Sequence, residues 1–481
     1  MTRRSLKTAA GLAAVLALAY TGSSWYAGRL AQERIEAWVA QANQEIAAQW
    51  SSPDPHPVLS IQEYRRGVFS SDVRYVFQFR DDEGRDQNLG LHDALAHGPW
   101  PWAAVRQGEW RPIAALSLIE PLPGALWQPW FDAQPAGQAP WTLQSRIGFD
   151  GRVAAVWRLQ PVRLAGDRLD FSGGEAQIDY DPRTREATVS GHADQLAAFD
   201  ADSGVRVRFE GLDFDGRTTR SGETDLQSRQ QARFGRIHLD VPDAPQVAFV
   251  GPSLRSDSAR TGSLLDSRLS YDLGQLQVDR QDLGRITLAL TAEHLDVPGL
   301  QALSSELERL SGTAESDEGL SEQDQQRLRA LAVPILAAGP RLSLDALRWE
   351  TPLGTSELKA LAEFRPAPED APADLGGLIE SGIRQLSAHL SLSKPMLLQV
   401  VRQTQQGEGS PDMTVALVSM LFDQYTGRLE RQGLVQRQGD TLTADFRYAD
   451  GQVAANGRAL SPDEFAALFG GLAGMGESLG E

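Results

Sequence analysis

Cysteine is absent from the 481 residues, and this absence excludes several kinds of site at once. A chain without cysteine forms no disulfide, offers no thiolate nucleophile and carries no cysteine-linked lipid anchor. If such a chain is exported, its stability must come from its core, because the cross-links that many exported proteins use are missing.

Motifs for common cofactors are also lacking. The chain contains neither the glycine-rich loop with a phosphate-binding lysine nor a dinucleotide fingerprint placed after a strand. Seven histidines are scattered along it, and the closest pair is His92 and His97. Their spacing does not align two metal ligands on one helix. We therefore expect no metal, no cofactor and no catalytic residue of a familiar type.

Positive charge is scarce relative to negative charge, since the formal net charge is −18. Nucleic-acid binding needs a basic face, so nucleic acid is disfavoured as a partner. With 41% hydrophobic and 23% charged residues, the composition is that of a folded protein. The length exceeds what one compact core usually contains and indicates more than one domain.

Long uncharged runs are rare, and the one that matters lies at the start. Arg3, Arg4 and Lys7 precede the run from Thr8 to Gly28, which contains no charged residue. A helix over 8–28 would be roughly 31 Å long, about the thickness of a hydrocarbon core. The basic residues before it should stay in the cytoplasm. We therefore predict a single-pass inner-membrane anchor through residues 8–28, with the bulk of the chain exported.

A cleaved signal peptide is the alternative interpretation of this start. Ala17-Leu18-Ala19 is an acceptable cleavage site, and cutting there would leave Tyr20 as the new terminus. Retention is favoured because the uncharged run continues past this site to bilayer length.

The rest of the chain predicts an α+β fold, mainly antiparallel β-sheet with packed helices, preceded by one N-terminal transmembrane helix. Leu30 to Trp50 has helical periodicity and should continue the anchor. From 143 to 290 apolar and polar residues alternate, with turns expected at Asp150-Gly151 and Asp215-Gly216. Helices and strands mix after 290, and Ser461 marks a helix start. We predict an anchor at 1–29, a β-rich domain at 30–290 and an α+β domain at 291–481.

Three short motifs resemble those of the YdgA-like bacterial envelope proteins. The first has the form Y-x-R-G-x-F-S-S, the second is H-G-P, and the third is a looser match to V-N-G, with Ala454-Ala455 inserted. The matching residues are Tyr64, Arg66, Gly67, Phe69, Ser70, Ser71, His97, Gly98, Pro99, Asn456 and Gly457. The resemblance implies an inner-membrane-anchored periplasmic protein and implies no known reaction. For His97 we expect a role in fixing a turn through a backbone hydrogen bond.

Six of the eleven tryptophans lie between 100 and 141. One interpretation is a packed loop that caps a sheet. The other is an aromatic-lined groove for a lipid or glycan, or a surface that dips into the membrane. The candidate ligand-facing side chains are Trp100, Trp102, Trp110, Trp127 and Trp130.

These observations favour a non-enzymatic binding or scaffolding role, with a lipid or another envelope protein as the candidate partner. A carboxylate-dependent envelope hydrolase is one alternative, with Asp213 and Asp215 on one strand face as its candidate acid/base pair. A homo-oligomeric structural protein is another.

Overall fold

The computed structural model describes ten stretches of the chain. They are residues 3–49, 56–81, 84–164, 168–201, 203–222, 224–313, 321–366, 375–404, 411–449 and 451–461. The chain divides into two compact units, 1–221 and 222–481. The helix predicted after Ser461 lies outside the described residues, and the predicted domain boundaries stay predictions.

The first unit begins with a continuous helix, α1 (Arg3–Gln49). The sequence favours it because proline is absent throughout and alanine and leucine are frequent. Two prolines, Pro53 and Pro55, follow its end. The prediction that the helix of 30–50 continues the N-terminal segment is confirmed. Within the described residues, no helix combines the length and the apolar character that crossing a membrane requires.

Eleven strands and two short helices complete the described part of the first unit. They are β1 (Val58–Arg66), β2 (Ser70–Arg80), β3 (Asp86–His97), α2 (Trp102–Arg106), β4 (Ala115–Pro121), α3 (Gln128–Asp132), β5 (Trp141–Ile147), β6 (Val153–Leu159), β7 (Val162–Leu164), β8 (Leu169–Phe171), β9 (Gly174–Asp181), β10 (Glu186–Phe199) and β11 (Arg206–Ser221). Antiparallel pairing gives the order β1-β2-β3-β4-β5-β6-β9-β10-β11. The mainly antiparallel fold is thus confirmed.

One face of the first strands packs against α1. Val39 of the helix is buried against Val73 and Tyr75 of β2. The alternation of β2 places these inward residues two apart, as a half-buried strand requires. The other face of β2 carries Arg74 and Gln78, which are exposed.

The turn predicted at Asp150-Gly151 is confirmed, and the one at Asp215-Gly216 is wrong. Gly151 has φ +82° and joins β5 to β6. Gly216 lies inside β11, paired with Val189 of β10. An Asp-Gly pair therefore does not turn the chain here, because the long neighbouring strand supplies ladder partners on both sides of it.

The second unit contains the remaining elements. They are β12 (Asp225–Arg233), β13 (Arg236–Asp240), β14 (Val247–Val250), β15 (Ser253–Thr261), β16 (Leu264–Val278), β17 (Gln281–Asp296), α4 (Val297–Thr313), α5 (Glu322–Ala337), β18 (Arg341–Thr351), β19 (Gly354–Phe364), α6 (Leu375–Gly382), β20 (Ile383–Ser393), α7 (Lys394–Thr404), α8 (Pro411–Arg431), β21 (Gln436–Gln438), β22 (Thr441–Ala449), β23 (Gln452–Ala455) and β24 (Arg458–Leu460). The antiparallel order is β12-β15-β16-β17-β18-β19-β20-β22-β23-β24.

Helices of the second unit pack at both ends of β19. Leu336 of α5 and Leu378 of α6 are buried together beside Phe364, the last residue of β19. At the other end, Met396 of α7 is fully buried next to Gly354, the first residue of β19. The middle of this sheet lies between these two covered ends.

Candidate functional site

The first two motifs meet at one corner of the first unit. Arg66 at the end of β1 pairs with Ser71 of β2, and Ser71 pairs with Leu95 of β3. Gly67 closes the turn between β1 and β2, since its N–H donates to the carbonyl of Ser70 at 2.8 Å. Residues that are 26 positions apart in sequence are therefore neighbours, as in the pair Ser71 and His97.

His97 connects this corner to the N-terminal helix. Its imidazole is fully buried, with Nδ1 2.9 Å from the carbonyl oxygen of Ser24 and Nε2 3.1 Å from Oγ of Ser71. A carbonyl only accepts, so Nδ1 carries the proton and Nε2 accepts from the Ser71 hydroxyl. Burial holds the pKa of His97 below its usual value, and the ring is neutral near pH 7. The hydrogen bond to the backbone that we expect for His97 is present, but its acceptor is the Ser24 carbonyl of α1 and not a carbonyl of the local turn.

A neutral histidine beside a serine resembles the pair used by serine hydrolases, but this site is closed. Both side chains are buried, and α1 covers the imidazole. The nitrogen that an acid would orient in a hydrolase instead donates to a backbone carbonyl. With Ser71 only 4% exposed, the arrangement suits a fastening between helix and sheet.

Two glycines permit the close approach of helix and sheet. A Cβ added at Gly28 would lie 2.4 Å from Cε1 of His97, and one added at Gly98 would lie 2.2 Å from Oγ of Ser24. Gly98 also has φ +122°, which side chains rarely adopt. We call the contacts among Ser24, Gly28, Ser71, His97 and Gly98 the helix clamp.

A buried carboxylate lies on the same sheet face. Asp93 of β3 is 2% exposed, and its carboxylate accepts from the hydroxyl of Ser117 at 2.8 Å and from that of Tyr75 at 3.5 Å. Burial raises the pKa of Asp93 and also that of Tyr75. Sequence reasoning missed Asp93, although the alternation of β3 puts it among the inward residues Leu91 and Leu95.

The candidate tryptophans separate into two groups. Trp127 and Trp130 form a cluster with Trp141. The ring centroids of Trp127 and Trp130 lie 5.9 Å apart, and those of Trp127 and Trp141 lie 6.2 Å apart. Trp100, Trp102 and Trp110 are exposed. This second group lies beside α1, because the hydroxyl of Tyr20 donates to the carbonyl of Trp100 at 2.6 Å.

The acids proposed for a hydrolase are far from the clamp. Asp213 and Asp215 are exposed on β11, paired with residues of β10. Five strands separate β11 from β3 in the sheet, so these acids are not neighbours of His97. The other histidine of β3, His92, pairs with Asp72 at 2.7 Å.

The third motif fixes a turn in the second unit. Asn456 has φ +48° and sits between β23 and β24. Its Oδ1 accepts from the N–H of Asp445 at 2.8 Å, and its Nδ2 donates to the carbonyl of Gly433 at 2.9 Å. Gly457 follows with φ +79°. The motif therefore ties the last hairpin to β22 and to the segment after α8.

The sheet of the second unit has one apolar face and one ionic face. On the ionic face Arg341 pairs with Glu293 and Glu363, each at 3.3 Å, and His389 pairs with Asp445 at 2.7 Å. On the other face the ladder aligns Leu344 with Leu290 across β17 and β18. Such alternation makes a sheet that is solvated on one side only.

The apolar face contains a trough of about 590 Å³. Its apolar lining includes Leu269, Leu290, Leu342, Leu344, Ala360, Leu386, Ala388 and Phe446. We call this surface the apolar trough. Leu342 remains 43% exposed, and Leu347 of the same strand 40%. A monomer rarely leaves a continuous apolar patch uncovered unless something binds there.

Comparison with known proteins places the chain in a family. The family model described as "Bacterial protein of unknown function (DUF945)" matches residues 3–463. "Protein YdgA" of Escherichia coli (strain K12) is 26% identical, and the match covers 96% of each chain. "Uncharacterized protein YihF" of the same strain is 23% identical over 96% of this chain and 98% of its own. No solved structure gives a significant match. The resemblance to YdgA-like proteins is thereby confirmed, and the chain belongs to the DUF945 family of bacterial proteins.

Proposed function

We propose that this protein is tethered to the bacterial inner membrane and binds an amphiphile, through its acyl chain, in the apolar trough. Its body lies in the periplasm, and its role is to hold or present the ligand without chemical conversion. The observation that carries the proposal is the trough, an apolar surface of ligand size on a sheet whose other face is ionic.

The tether is supported by the start of the sequence. Three basic residues precede an uncharged run over 8–28, which fits a positive-inside anchor. The run lies within α1, whose later part packs on the sheet of the first unit. A rigid helix would thus join the membrane segment to the body.

The shape of the apolar trough supports a chain-like ligand. Helices cover β19 near Gly354 and near Phe364, so the open part lies between them. At 3.3 Å per residue this stretch of β19 measures at most about 33 Å. Its walls are mostly leucine, alanine and phenylalanine, which attract hydrocarbon, with a few serine and threonine side chains among them.

A binding role also agrees with the one serine–histidine pair at the family motifs. Ser71 and His97 are buried under α1, and the ring bonds shown for His97 lead to Ser71 and to the carbonyl of Ser24, neither of which is an acid. The geometry therefore favours binding over hydrolysis.

Native mass spectrometry of the full chain tests the proposal. The protein is released from membranes in a mild detergent, and bound lipid is counted for the wild type and for Ala360→Trp, which fills the trough. Lys359→Trp is the matched control, because the neighbouring residue points to the ionic face, where it pairs with Glu357 at 3.0 Å. We expect lipid on the wild type and the control, and a much smaller bound fraction on Ala360→Trp. Equal lipid on all three chains, or none, would refute the proposed trough ligand.

A further inference from the structure

Five exposed apolar side chains lie at and near Phe69 and Trp100, the two residues that contact Tyr20 of α1. They are Val68, Phe69, Trp100, Trp102 and Trp110, each between 41% and 73% exposed. Single exposed apolar residues are common, but three exposed tryptophans within eleven residues are not, because tryptophan is mostly buried. We call this group the aromatic collar.

Contacts with Tyr20 hold the aromatic collar to the helix. The ring of Tyr20 stacks on Phe69 with centroids 5.6 Å apart, and its hydroxyl donates to the carbonyl of Trp100. The indole N–H of Trp100 in turn donates to the carbonyl of Trp110 at 3.1 Å. These bonds fix the collar at the level of Tyr20 along α1.

The helix clamp places one side of the last part of the uncharged run against protein. Ser24 and Gly28 lie against His97 and Gly98, and Tyr20 lies against the collar. The part of the run that precedes Tyr20, residues 8–19, would span roughly 18 Å as a helix. A hydrocarbon core is about 30 Å thick, so this segment alone is too short to cross it.

A helix that is shorter than the hydrocarbon core needs a second apolar surface beside it to fill the remaining thickness of the membrane. Proteins meet such a mismatch by thinning the bilayer or by embedding flanking groups. Tryptophan suits the interface, since its ring is apolar and its N–H is polar. Arg106 and Arg111 are exposed in the same segment between β3 and β4 as Trp102 and Trp110, where they can meet lipid phosphate.

We propose that the aromatic collar is immersed in the phospholipid bilayer surface on the side where the body lies. It extends the apolar surface of residues 8–19, and the helix clamp holds it at the correct depth. The inference rests on the proposed tether and goes beyond it, because it assigns the membrane contact to loops of the folded unit.

Quenching by brominated lipid tests this assignment. The full chain is reconstituted in vesicles of phosphatidylethanolamine and phosphatidylglycerol with brominated acyl chains, and tryptophan emission is compared with that in unbrominated vesicles. We expect quenching of the wild type, and a loss of about half of the quenched emission in Trp102→Phe/Trp110→Phe. Trp38→Phe is the control, since Trp38 is 57% exposed on α1 but lies about 27 Å further along it than Tyr20. That variant should keep the quenched emission.

Flotation of the vesicles separates the collar from the tether. Protein that floats but shows no quenching, or equal quenching in the double variant, overturns the collar and leaves the tether standing. Protein that does not float overturns both. A third outcome would also overturn the proposal. If the wild type is not quenched and self-associates in detergent, and the double variant does not self-associate, the collar binds a second copy of the chain.

Discussion

The imidazole of His97 occupies the space that a side chain at Gly28 would need. A Cβ built on Gly28 would stand 2.4 Å from Cε1, 2.7 Å from Nε2 and 2.9 Å from Nδ1 of the ring. The helix and the sheet therefore meet at a distance that only glycine allows. The two residues are 69 positions apart in the sequence, and their contact joins α1 to the sheet of the first unit.

Replacing Gly28 by alanine should destabilise the protein. The added methyl must displace a buried ring, and overpacking of this kind costs about 1–3 kcal/mol. Gly22→Ala is the matched control, because nothing lies within 4 Å of its Cβ position. There, the better helix propensity of alanine should leave stability unchanged or raised by up to about 1 kcal/mol. Thermal unfolding of the full chain in detergent measures both; equal midpoints for the two variants would disprove the close contact.

The buried His97 should make stability depend on pH. In the unfolded chain the imidazole takes up a proton as the pH falls through about 6.5, whereas burial lowers the pKa in the folded chain. The unfolded state then binds more protons, so stability falls as the pH drops below about 6.5.

His97→Asn isolates this contribution from the other histidines. The variant should be less stable than the wild type at pH 7.5, because the fastening to Ser24 and Ser71 is weakened. The gap should narrow towards pH 5.5 by at most about 1.4 kcal/mol, because this pH lies only about one unit below the unfolded pKa. Unfolding midpoints at several pH values check this, and a gap that stays constant would show that His97 does not titrate differently on folding.

The contribution of Asp93 to stability should change with pH in the opposite direction to that of His97. Burial raises its pKa, so its contribution to stability is greatest below about 3.9, the unfolded value, and is lost as the pH rises through the folded pKa. Asp93→Asn removes the charge and keeps an acceptor for Ser117, so it should match or exceed the wild type at pH 8. Asp93→Ala leaves the Ser117 hydroxyl without that acceptor and should cost about 1–3 kcal/mol. Denaturant unfolding at pH 8 measures the stability of the two variants. A loss of stability in Asp93→Asn as large as that in Asp93→Ala would contradict this explanation.

Asn456 allows backbone strain to be separated from hydrogen bonding. Asn456→Ala loses two side-chain bonds, to Asp445 and Gly433, and must also adopt φ +48° with a Cβ. We expect a loss of about 2–3 kcal/mol. Asn456→Gly loses the bonds without the strain, so it should lose about 1 kcal/mol less. Urea midpoints of the two variants give the difference, and a glycine variant less stable than the alanine variant would reject this explanation.

Individual strands and tight turns could be predicted from the sequence because they depend on residues that are close together in the chain. The alternation of β2 and the Asp150-Gly151 turn both predict what the structure contains. The expected turn at Asp215-Gly216 is wrong because the long neighbouring strand β10 pairs with β11 on both sides of this dipeptide and keeps it extended.

The candidate site was less accessible to sequence reasoning because it depends on distant contacts. The motif around Ser71 and the one at His97 could be recognised, but nothing local indicates that Ser24 accepts a bond from His97. Likewise, alternation predicts an apolar face on the second sheet. Which leucines stay uncovered depends on where α5, α6 and α7 end.

The most direct test of the apolar trough is photo-crosslinking in living bacteria. The photoreactive amino acid p-benzoylphenylalanine is placed at Leu342, inside the trough, or at Leu353, on the turn between β18 and β19. Both positions are exposed, at 43% and 57%, so they differ mainly in their surroundings. We predict a lipid adduct on the chain labelled at 342 and none on the chain labelled at 353. Equal adducts at the two positions, or no lipid at 342, would contradict the account.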